Sequence, residues 1–514
     1  MYIEPSTSVR FLRNVPLDNR YKHTLYFASQ SAQNSYFVGQ TKYNVTNYTY
    51  QRKERGYLKV GIKADNLYDC NYMMYQNSNF GTKWFYAFIT SVEYVSNDTS
   101  LVQFEIDEIQ TWLFEMQLKE CYVERQHTVS DELFEHYEPE PVDFGNMVTL
   151  ASYLPDVSGV SGDFNTWNLV VCSAPDGQSS VHPFVQNGVV SCAEYYWCAN
   201  NSSSVNDFLT NVMSDYNQDA IYSVYLFPSV FVGNSTGEGH LIDRGQSEPV
   251  MVTLNAKLPE SINGYTPKNK KLFSSPYTMY EATDDCGNSQ FYYPELFKSG
   301  NVYFNVYGKY VGNPEITMTP LSYKDETENF SESFSIQNFP MASFASDTFR
   351  AWLANNGTQV GLNAMNNIVG SVANMASGNV VGLAYNSIGL TSSINQVAVA
   401  YNQPNKLVTT DNSGTIAVLK QKVPRLKIKC LTPSYLKQVD DFFTVYGYHV
   451  SVVGVPNVHA RKEFTYVKTN DCVVRGNIPQ DSMKTIAGCF DKGMTWWVNP
   501  SNVGNYSVDN GVLG

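Results

Sequence analysis

The chain has 514 residues and a formal net charge of −13, with 16% charged, 43% hydrophobic and 14% aromatic residues. This acidic balance argues against a general nucleic-acid binder, which needs a basic face. The length is sufficient for roughly two to four domains with cores of their own. The many Tyr, Val and Thr residues in short runs predict a mainly β protein with some helix, an α+β fold.

The nine cysteines are scattered and form no CxxC pair, which argues against a disulfide framework. Cys192 and Cys198 are close in sequence, but no histidine lies at zinc-finger spacing from them. The N-terminal stretch MYIEPSTSVRFLRN lacks the apolar region of a secretion signal, so we expect folding in a reducing cytosol. No catalytic sequence motif is present, and we therefore expect no enzyme activity, no catalytic residues, no metal and no cofactor.

The first 125 residues combine short apolar runs with turns. Residues 83–89 and 102–107 are predicted strands on either side of a turn at 96–99, because apolar and polar residues alternate in the second of them. A short helix is predicted from Ile109 onward, where apolar residues recur at helical spacing.

Residues 131–143 carry six acids around one histidine and two prolines. We interpret this run as a solvated connection between domains, and a metal site or a contribution to an acidic lumen are the alternatives. Residues 167 to about 249 contain Asn/Ser-rich turns between short apolar runs and predict an inserted or peripheral β-rich module. Strands resume after Lys271, as in the alternating residues 302–307.

Residues 351–405 contain no Asp, Glu, Lys or Arg. Apolar residues recur every three or four positions from Leu362 to Leu383, which predicts a helix about 33 Å long. This length is close to the roughly 30 Å hydrocarbon layer of a bilayer. Gly378 and Gly382 form a GxxxG spacing that permits close helix packing. The pattern alone is compatible with a buried core helix, a flexible linker, an interaction helix or an oligomeric membrane-active segment.

Two helices with clear end signals follow. Pro433 at a first helical position and Gly447 after the last turn delimit one of them, and Pro479 and Gly493 delimit the other. A strand is predicted after each helix.

Several stretches of the chain resemble one family of virion proteins. They are GTKWFYAFITSVEY (81–94), QFEIDEIQTWLFE (103–115), DDFFTVYGYHV (440–450), PNVHARKEFTYVKTNDCVVRGNI (456–478) and FDKGMTWW (490–497). In order and in residue pattern they resemble the distal tail tube, or tail knob, proteins of φ29-like short-tailed bacteriophages. The resemblance is thinner in the middle of the chain, and residues 150–270 depart from it.

The resemblance implies a homohexamer in which each subunit contributes two β-barrel-like tube domains to a ring that conducts phage DNA. It implies an N-terminal tube barrel (1–145), a peripheral knob module (146–270), the first part of a second barrel (271–350), a membrane-active plug loop (351–410) and the remainder of the second barrel (411–514). The loops would plug the lumen before infection and later form a pore across the host membrane.

The resemblance also implies partners and residue roles. The partners are further copies of the chain, the upper tail or collar protein of the same phage, host membrane lipid, and DNA that passes through the lumen without specific binding. The protein would be made in the host cytoplasm, reside in the virion tail and act at the host cell envelope. The apolar residues expected to enter the membrane are Leu362, Met365, Ile368, Val369, Val372, Met375, Val380, Val381, Leu383, Ile388 and Leu390, with Gly378 and Gly382 for helix packing.

Glu105 and Asp107 alternate with a buried strand face and are therefore candidates for an acidic lumen that repels DNA phosphates. The first rival function is a receptor-binding tail protein that grips cell-wall glycan through Tyr and Trp. The second is a wall-degrading hydrolase, for which only the abundance of acids speaks.

Overall fold

The structure is a computed structural model. In it the chain forms two compact units. The first unit comprises Met1–Gly145, Thr266–Leu272 and Pro433–Gly514, and the second comprises Asn146–Tyr265 and Phe273–Thr432. The structure describes residues 6–48, 56–78, 81–138, 140, 145–173, 184–186, 189–191, 194–199, 221–232, 238–242, 251–297, 299–310, 314–337, 339, 341–343, 409–410 and 422–513.

The strands are numbered in chain order. The first nine are β1 Thr7–Arg13, β2 His23–Leu25, β3 Thr41–Tyr48, β4 Tyr57–Val60, β5 Cys70–Asn77, β6 Phe85–Ser96, β7 Thr99–Ile106, β8 Gln117–Leu118 and β9 Cys121–Gln126. The next nine are β10 Met147–Tyr153, β11 Trp167–Ser173, β12 Phe184–Gln186, β13 Val189–Ser191, β14 Glu194–Cys198, β15 Ile221–Pro228, β16 Glu238–Ile242, β17 Met251–Lys257 and β18 Thr278–Thr283. The last twelve are β19 Ser289–Tyr292, β20 Asn301–Lys309, β21 Glu315–Tyr323, β22 Glu326–Glu328, β23 Phe334–Ile336, β24 Met341–Ser343, β25 Thr409–Thr410, β26 Arg425–Leu431, β27 Tyr448–Gly454, β28 Phe464–Asn470, β29 Val474–Arg475 and β30 Met494–Trp497.

Helices are few in the described part of the chain. The α-helices are α1 Gln30–Gly39, α2 Glu108–Trp112, α3 Ser229–Val232, α4 Pro433–Tyr446 and α5 Gln480–Lys492. Short 3₁₀ turns occur at Ala64–Asn66, Lys270–Phe273, Pro294–Phe297, Phe330–Glu332 and Pro500–Asn502. The prediction of a mainly β fold is confirmed.

The part of the first unit that the structure describes contains two larger sheets. One is antiparallel with the order β3-β1-β5-β6-β7-β4, and the other has the order β2-β30-β28-β9-β27. Buried residues from both ends of the chain share one core, among them Leu25, Tyr72, Phe88, Val123, Phe464, Phe490, Trp496 and Trp497. The expectation that the whole of residues 411–514 completes a barrel with 271–350 is therefore wrong for residues 433–514. Their strands β28 and β30 pair with β9 and β2, because Phe464 and both Trp side chains are buried in the core of residues 1–145.

The described residues of the second unit form three larger sheets, with the orders β10-β26-β18-β19, β17-β20-β21-β22 and β16-β14-β11-β15-β24-β25. In the second of them, buried and exposed side chains alternate along β17 and β20, as expected for a sheet with one covered face. Leu254 lies opposite Phe304 and Val252 opposite Val306, and all four are buried. The strand predicted at 302–307 is confirmed by β20.

Strands β24 and β25 are sequence neighbours of the charge-free segment. They pair antiparallel, with Ala342 opposite Thr410 and Ser343 opposite Thr409. Residues 343 and 409 thus lie side by side in adjacent strands. Thr409 and Thr410, which were predicted to belong to the plug loop, instead form an edge strand of the β11–β15 sheet.

The two C-terminal helices lie where their end signals predict them. In α4 the buried residues Leu436, Val439, Asp440 and Phe443 occupy one face, and Gly447 follows the last turn. In α5 the residues Ile486, Cys489 and Phe490 are buried, and Gly493 ends the helix.

Gly447 is required by both its backbone conformation and its surroundings. Its φ is +64°, and a Cβ would lie 2.4 Å from the carbonyl carbon and oxygen of Gln126. We therefore expect Gly447→Ala to lower the free energy of unfolding by about 2 kcal/mol or more in urea titrations. The matched control is Gly488→Ala in α5, where a Cβ meets nothing within 4 Å, and a helical Gly-to-Ala change is expected to add about 0.5–1 kcal/mol. Equal effects of the two substitutions would refute this account.

Candidate functional site

The two predicted lumen acids have different environments. Glu105 in β7 is exposed, and its Oε2 accepts a hydrogen bond of 2.9 Å from Asn19 Nδ2. Asp107 is only 1% exposed. Because β7 ends at Ile106, the alternation does not continue to Asp107, which instead begins α2. Its assignment to a lumen surface is therefore corrected.

Asp107 is the N-cap of α2. Its Oδ1 accepts from Gln110 N at 3.0 Å, and its Oδ2 accepts from Tyr72 Oη at 2.8 Å. Burial raises the pKa of Asp107 to about 7, although these hydrogen bonds oppose the rise. The carboxyl group thus contributes to the stability of the unit and does not face solvent.

The predicted membrane residues, from Leu362 to Leu390 with Gly378 and Gly382, lie outside the described residues, and their roles stay predictions. Among the residues that the structure does describe, no helix is long and apolar enough to cross a bilayer. The same residues contain no group of three or more His, Cys, Asp or Glu side chains arranged to hold a metal ion.

The acidic run is only partly the solvated connection that its composition predicts. Glu132, Glu135 and Glu138 are exposed, whereas the side chain of Glu140 is fully buried. Glu140 Oε1 accepts from Lys271 Nζ at 2.7 Å and from His449 N at 2.7 Å.

A second cation completes this charged centre. Arg125 Nη2 donates to Glu140 Oε2, and Arg125 Nη1 donates to Gly447 O at 2.6 Å. The guanidinium carbon of Arg125 also lies 4.8 Å from the centre of the Phe442 ring, within the range of a cation–π contact. Two buried cations thus share one buried carboxylate, and this arrangement joins β9, the acidic run and the start of β27.

Asp440 holds the short returning segment 266–272. It lies on the buried face of α4 and is 0% exposed. Its carboxylate accepts from Lys268 N at 2.9 Å, from Asn269 N at 3.1 Å and from Asn269 Nδ2 at 2.7 Å. Asn269 Nδ2 also lies 3.0 Å from Thr444 Oγ1.

Glu140, Lys271, Arg125, Asp440 and Asn269 form what we call the connection cluster. It lies within the first unit, beside the points where the chain leaves that unit after residue 145 and again after residue 272. Every member is engaged in an ion pair or hydrogen bond, which favours a structural, stabilising role over a catalytic one. Sequence reasoning missed the cluster. A signal existed only for Asp440, since an acid on the apolar face of a helix needs buried partners.

The comparisons with known proteins identify the family of the chain. Residues 245–511, more than half of the chain, match the family model for the C-terminal domain of the Bacillus phage phi29 tail knob protein gp9. The chain belongs to this phage tail knob family. Residues 5–118 also match the model for the N-terminus of the caudoviral major tail protein.

Members of the tail knob family align along almost the whole chain. The gp9 proteins of Bacillus phages phi29 and PZA are 26% and 25% identical to it, and each alignment covers 98% of this chain and 98% of the relative. The phi29 alignment extends over 600 positions, more than the 514 residues here, so it contains gaps.

The tail knob protein gp12 of bacteriophage C1 has a similar structure. The TM-score is 0.65 at 16% identity, and the match covers 99% of this chain and all of the other. This similarity shows the fold. Together, the findings identify the chain as a structural component of a phage tail rather than an enzyme.

Proposed function

We propose that this tail component assembles as a homohexameric tube through which the phage DNA leaves. In each copy, residues 351–405 plug the lumen before infection and afterwards enter the host membrane, where the segments of all copies line a pore. The upper tail protein is the partner at one end of the tube, and the host membrane lipid is the partner at the other.

One observation carries the proposal: a segment of 55 residues without any charge in a chain with a net charge of −13. Strands β24 and β25, which precede and follow it in the sequence, pair with each other, so Ser343 and Thr409 lie side by side.

The polar residues of the segment favour an assembly over a single helix. Unpaired polar groups in an apolar environment cost roughly 1–3 kcal/mol each, a cost that falls when Asn and Ser face water or each other. In the helix predicted from Leu362 to Leu383, the apolar residues that recur every three or four positions form one side, which we call the apolar stripe. Asn363, Asn367 and Asn374 recur on the opposite side. When several copies surround a water-filled centre, the Asn side of each helix faces water and the apolar side faces lipid.

The lumen surface is proposed to be acidic. Exposed carboxylates such as Glu105 repel DNA phosphates and offer DNA no adhesive site. DNA passage then depends on shape and charge, without recognition of bases.

Electron microscopy and dye release test the two parts of the proposal. We expect ring-shaped particles with a central channel, and we expect the full chain to release dye from liposomes. A variant in which a short Gly/Ser linker replaces residues 351–405 should form the same rings and release none, because residues 343 and 409 on either side of the replaced region are paired in adjacent strands. Equal dye release with and without the segment would exclude the pore, and a monodisperse monomer would exclude the tube.

Charge substitutions provide a matched comparison within the segment. Val372→Lys and Val380→Lys place charges on the apolar stripe and should reduce dye release at least tenfold, because a lysine near the centre of a bilayer costs about 2.5–3.5 kcal/mol. Asn367→Lys and Asn374→Lys place the same charges on the side proposed to face water, and these variants should retain most of the dye release. Equal losses in both pairs would argue against the assigned faces.

A further inference from the structure

The first unit contains a cavity to which no function is assigned. Its volume is about 350 Å³, and it lies between the first turn of α1, the start of β6 and the end of α2. Gln33 of α1 fixes this arrangement, because its Nε2 donates to Gln110 O at 2.8 Å and to Gln110 Oε1 at 2.9 Å. The cavity is therefore preformed by buried contacts.

Two polar groups in the lining have unused hydrogen-bonding capacity. Asn34 Oδ1 is shielded from solvent and accepts no hydrogen bond from any residue that the structure describes. Lys83 Nζ lies 3.0 Å from Glu115 Oε1 and 3.3 Å from the centre of the Trp112 ring. An ammonium group has three N–H donors, so one remains for a ligand beside those directed at Glu115 and the Trp112 ring.

The charge balance excludes some ligand classes. Lys83 is neutralised by Glu115, and among the described residues no other Lys or Arg lines the cavity, so an anion such as phosphate meets no net positive charge. A fully apolar ligand would leave Asn34 Oδ1 without a partner, which is unfavourable. The cavity thus favours a neutral ligand that both donates and accepts hydrogen bonds.

The remaining lining specifies the ligand further. Ser31 and Thr82 contribute hydroxyl groups, and Trp84 and Phe114 contribute aromatic surface. A sugar ring has hydroxyl groups for Asn34 and Lys83 and an apolar C–H face for an aromatic ring. A cavity of this volume lies at the lower end of the range for small-molecule sites.

We propose that this cavity binds one neutral pyranose unit, either a hexose or an N-acetylhexosamine, of a glycan. The inference does not depend on the proposed tube or pore, because the cavity lies wholly within the first unit.

Ligand-observed NMR with the full chain tests the proposal. Glucose, galactose and N-acetylglucosamine are titrated separately, with inorganic phosphate as a comparator. At least one sugar should saturate with a dissociation constant of about 1 mM, the order expected for a ligand of this size. Absence of saturation by every sugar, or tighter binding of phosphate than of any sugar, would overturn the proposal.

Paired variants connect binding to the cavity. Asn34→Ala and Lys83→Met should weaken sugar binding at least tenfold. The controls are Asn97→Ala and Lys63→Met, since Asn97 lies in the β6–β7 turn and Lys63 is exposed beside Asp65, and both should bind like the parent chain. Circular dichroism and thermal unfolding identify variants that fail to fold, and Thr82→Val serves as a second cavity variant. Unchanged binding in all folded cavity variants would refute the site.

A sedimentation assay distinguishes the two sources of such a sugar. Co-sedimentation with purified cell-wall glycan, competed by the monosaccharide that binds, identifies a surface polymer as the ligand. Binding of the monosaccharide without co-sedimentation identifies a free sugar. Both results support a pyranose site and differ only in its biological source.

Discussion

Replacement of Glu140 by alanine is expected to lower the free energy of unfolding of the first unit by about 3–5 kcal/mol, the range for breaking a buried ion pair from one side. The Glu140 and Lys271 side chains are both 0% exposed, and that of Arg125 is 10% exposed. The substitution removes the carboxylate shared by two buried cations, and the uncompensated charges are the source of the loss. Urea titration at neutral pH measures the effect.

The chain offers a close control for this prediction. Glu132 belongs to the same acidic run and pairs with Lys270 at 3.2 Å, but the two side chains are 78% and 45% exposed. Exposed ion pairs contribute little to stability, so Glu132→Ala should change the free energy of unfolding by less than about 1 kcal/mol. A double variant, Glu140→Gln with Lys271→Met, should recover part of the loss because it removes a charge of each sign. Similar effects of Glu140→Ala and Glu132→Ala would show that burial does not decide the outcome.

Local patterns in the sequence were sufficient to predict individual strands and helices. In β20 a period of two separates buried from exposed residues, and in α4 proline and glycine delimit a helix whose apolar residues share one face. Such signals depend only on neighbours in sequence. The resemblance at both chain ends led to the correct family, because it rests on long stretches in the same order.

Pairings between distant segments could not be predicted in this way. Nothing in the composition of β30 indicates that it pairs with β2 at the other end of the chain rather than with residues 271–350. The same limit applies to Glu140, since an acid in an acidic run resembles its solvated neighbours until its partners Arg125 and Lys271 are known. Both features depend on contacts between residues more than 100 positions apart or on the burial that those contacts create.

Asp107 provides the second large expected effect, a pH-dependent difference between the parent chain and Asp107→Asn. Asparagine is nearly isosteric and also a good N-cap, so it retains an acceptor for Gln110 N. Burial raises the pKa of Asp107 to about 7 in the folded chain, whereas an unfolded Asp titrates near 3.9. The folded state therefore binds an additional proton between these values. The contribution of this group to stability is full below about pH 4 and is lost as the pH rises through 7.

The expected result follows from the higher pKa of Asp107 in the folded chain. Relative to the parent chain, Asp107→Asn should gain free energy of unfolding as the pH rises from 4 to 7, by up to about 4 kcal/mol, and the difference should then stay constant. Comparing the two proteins cancels the titration of all groups that they share. Urea titrations at several pH values between 4 and 8.5 measure the difference, with Glu105→Gln as the exposed control that should follow the parent curve closely. A constant difference between Asp107→Asn and the parent across this range would mean that the buried carboxyl is ionised in the folded chain at acidic pH. The hydrogen bonds from Tyr72 and Gln110 would then at least offset the cost of burial.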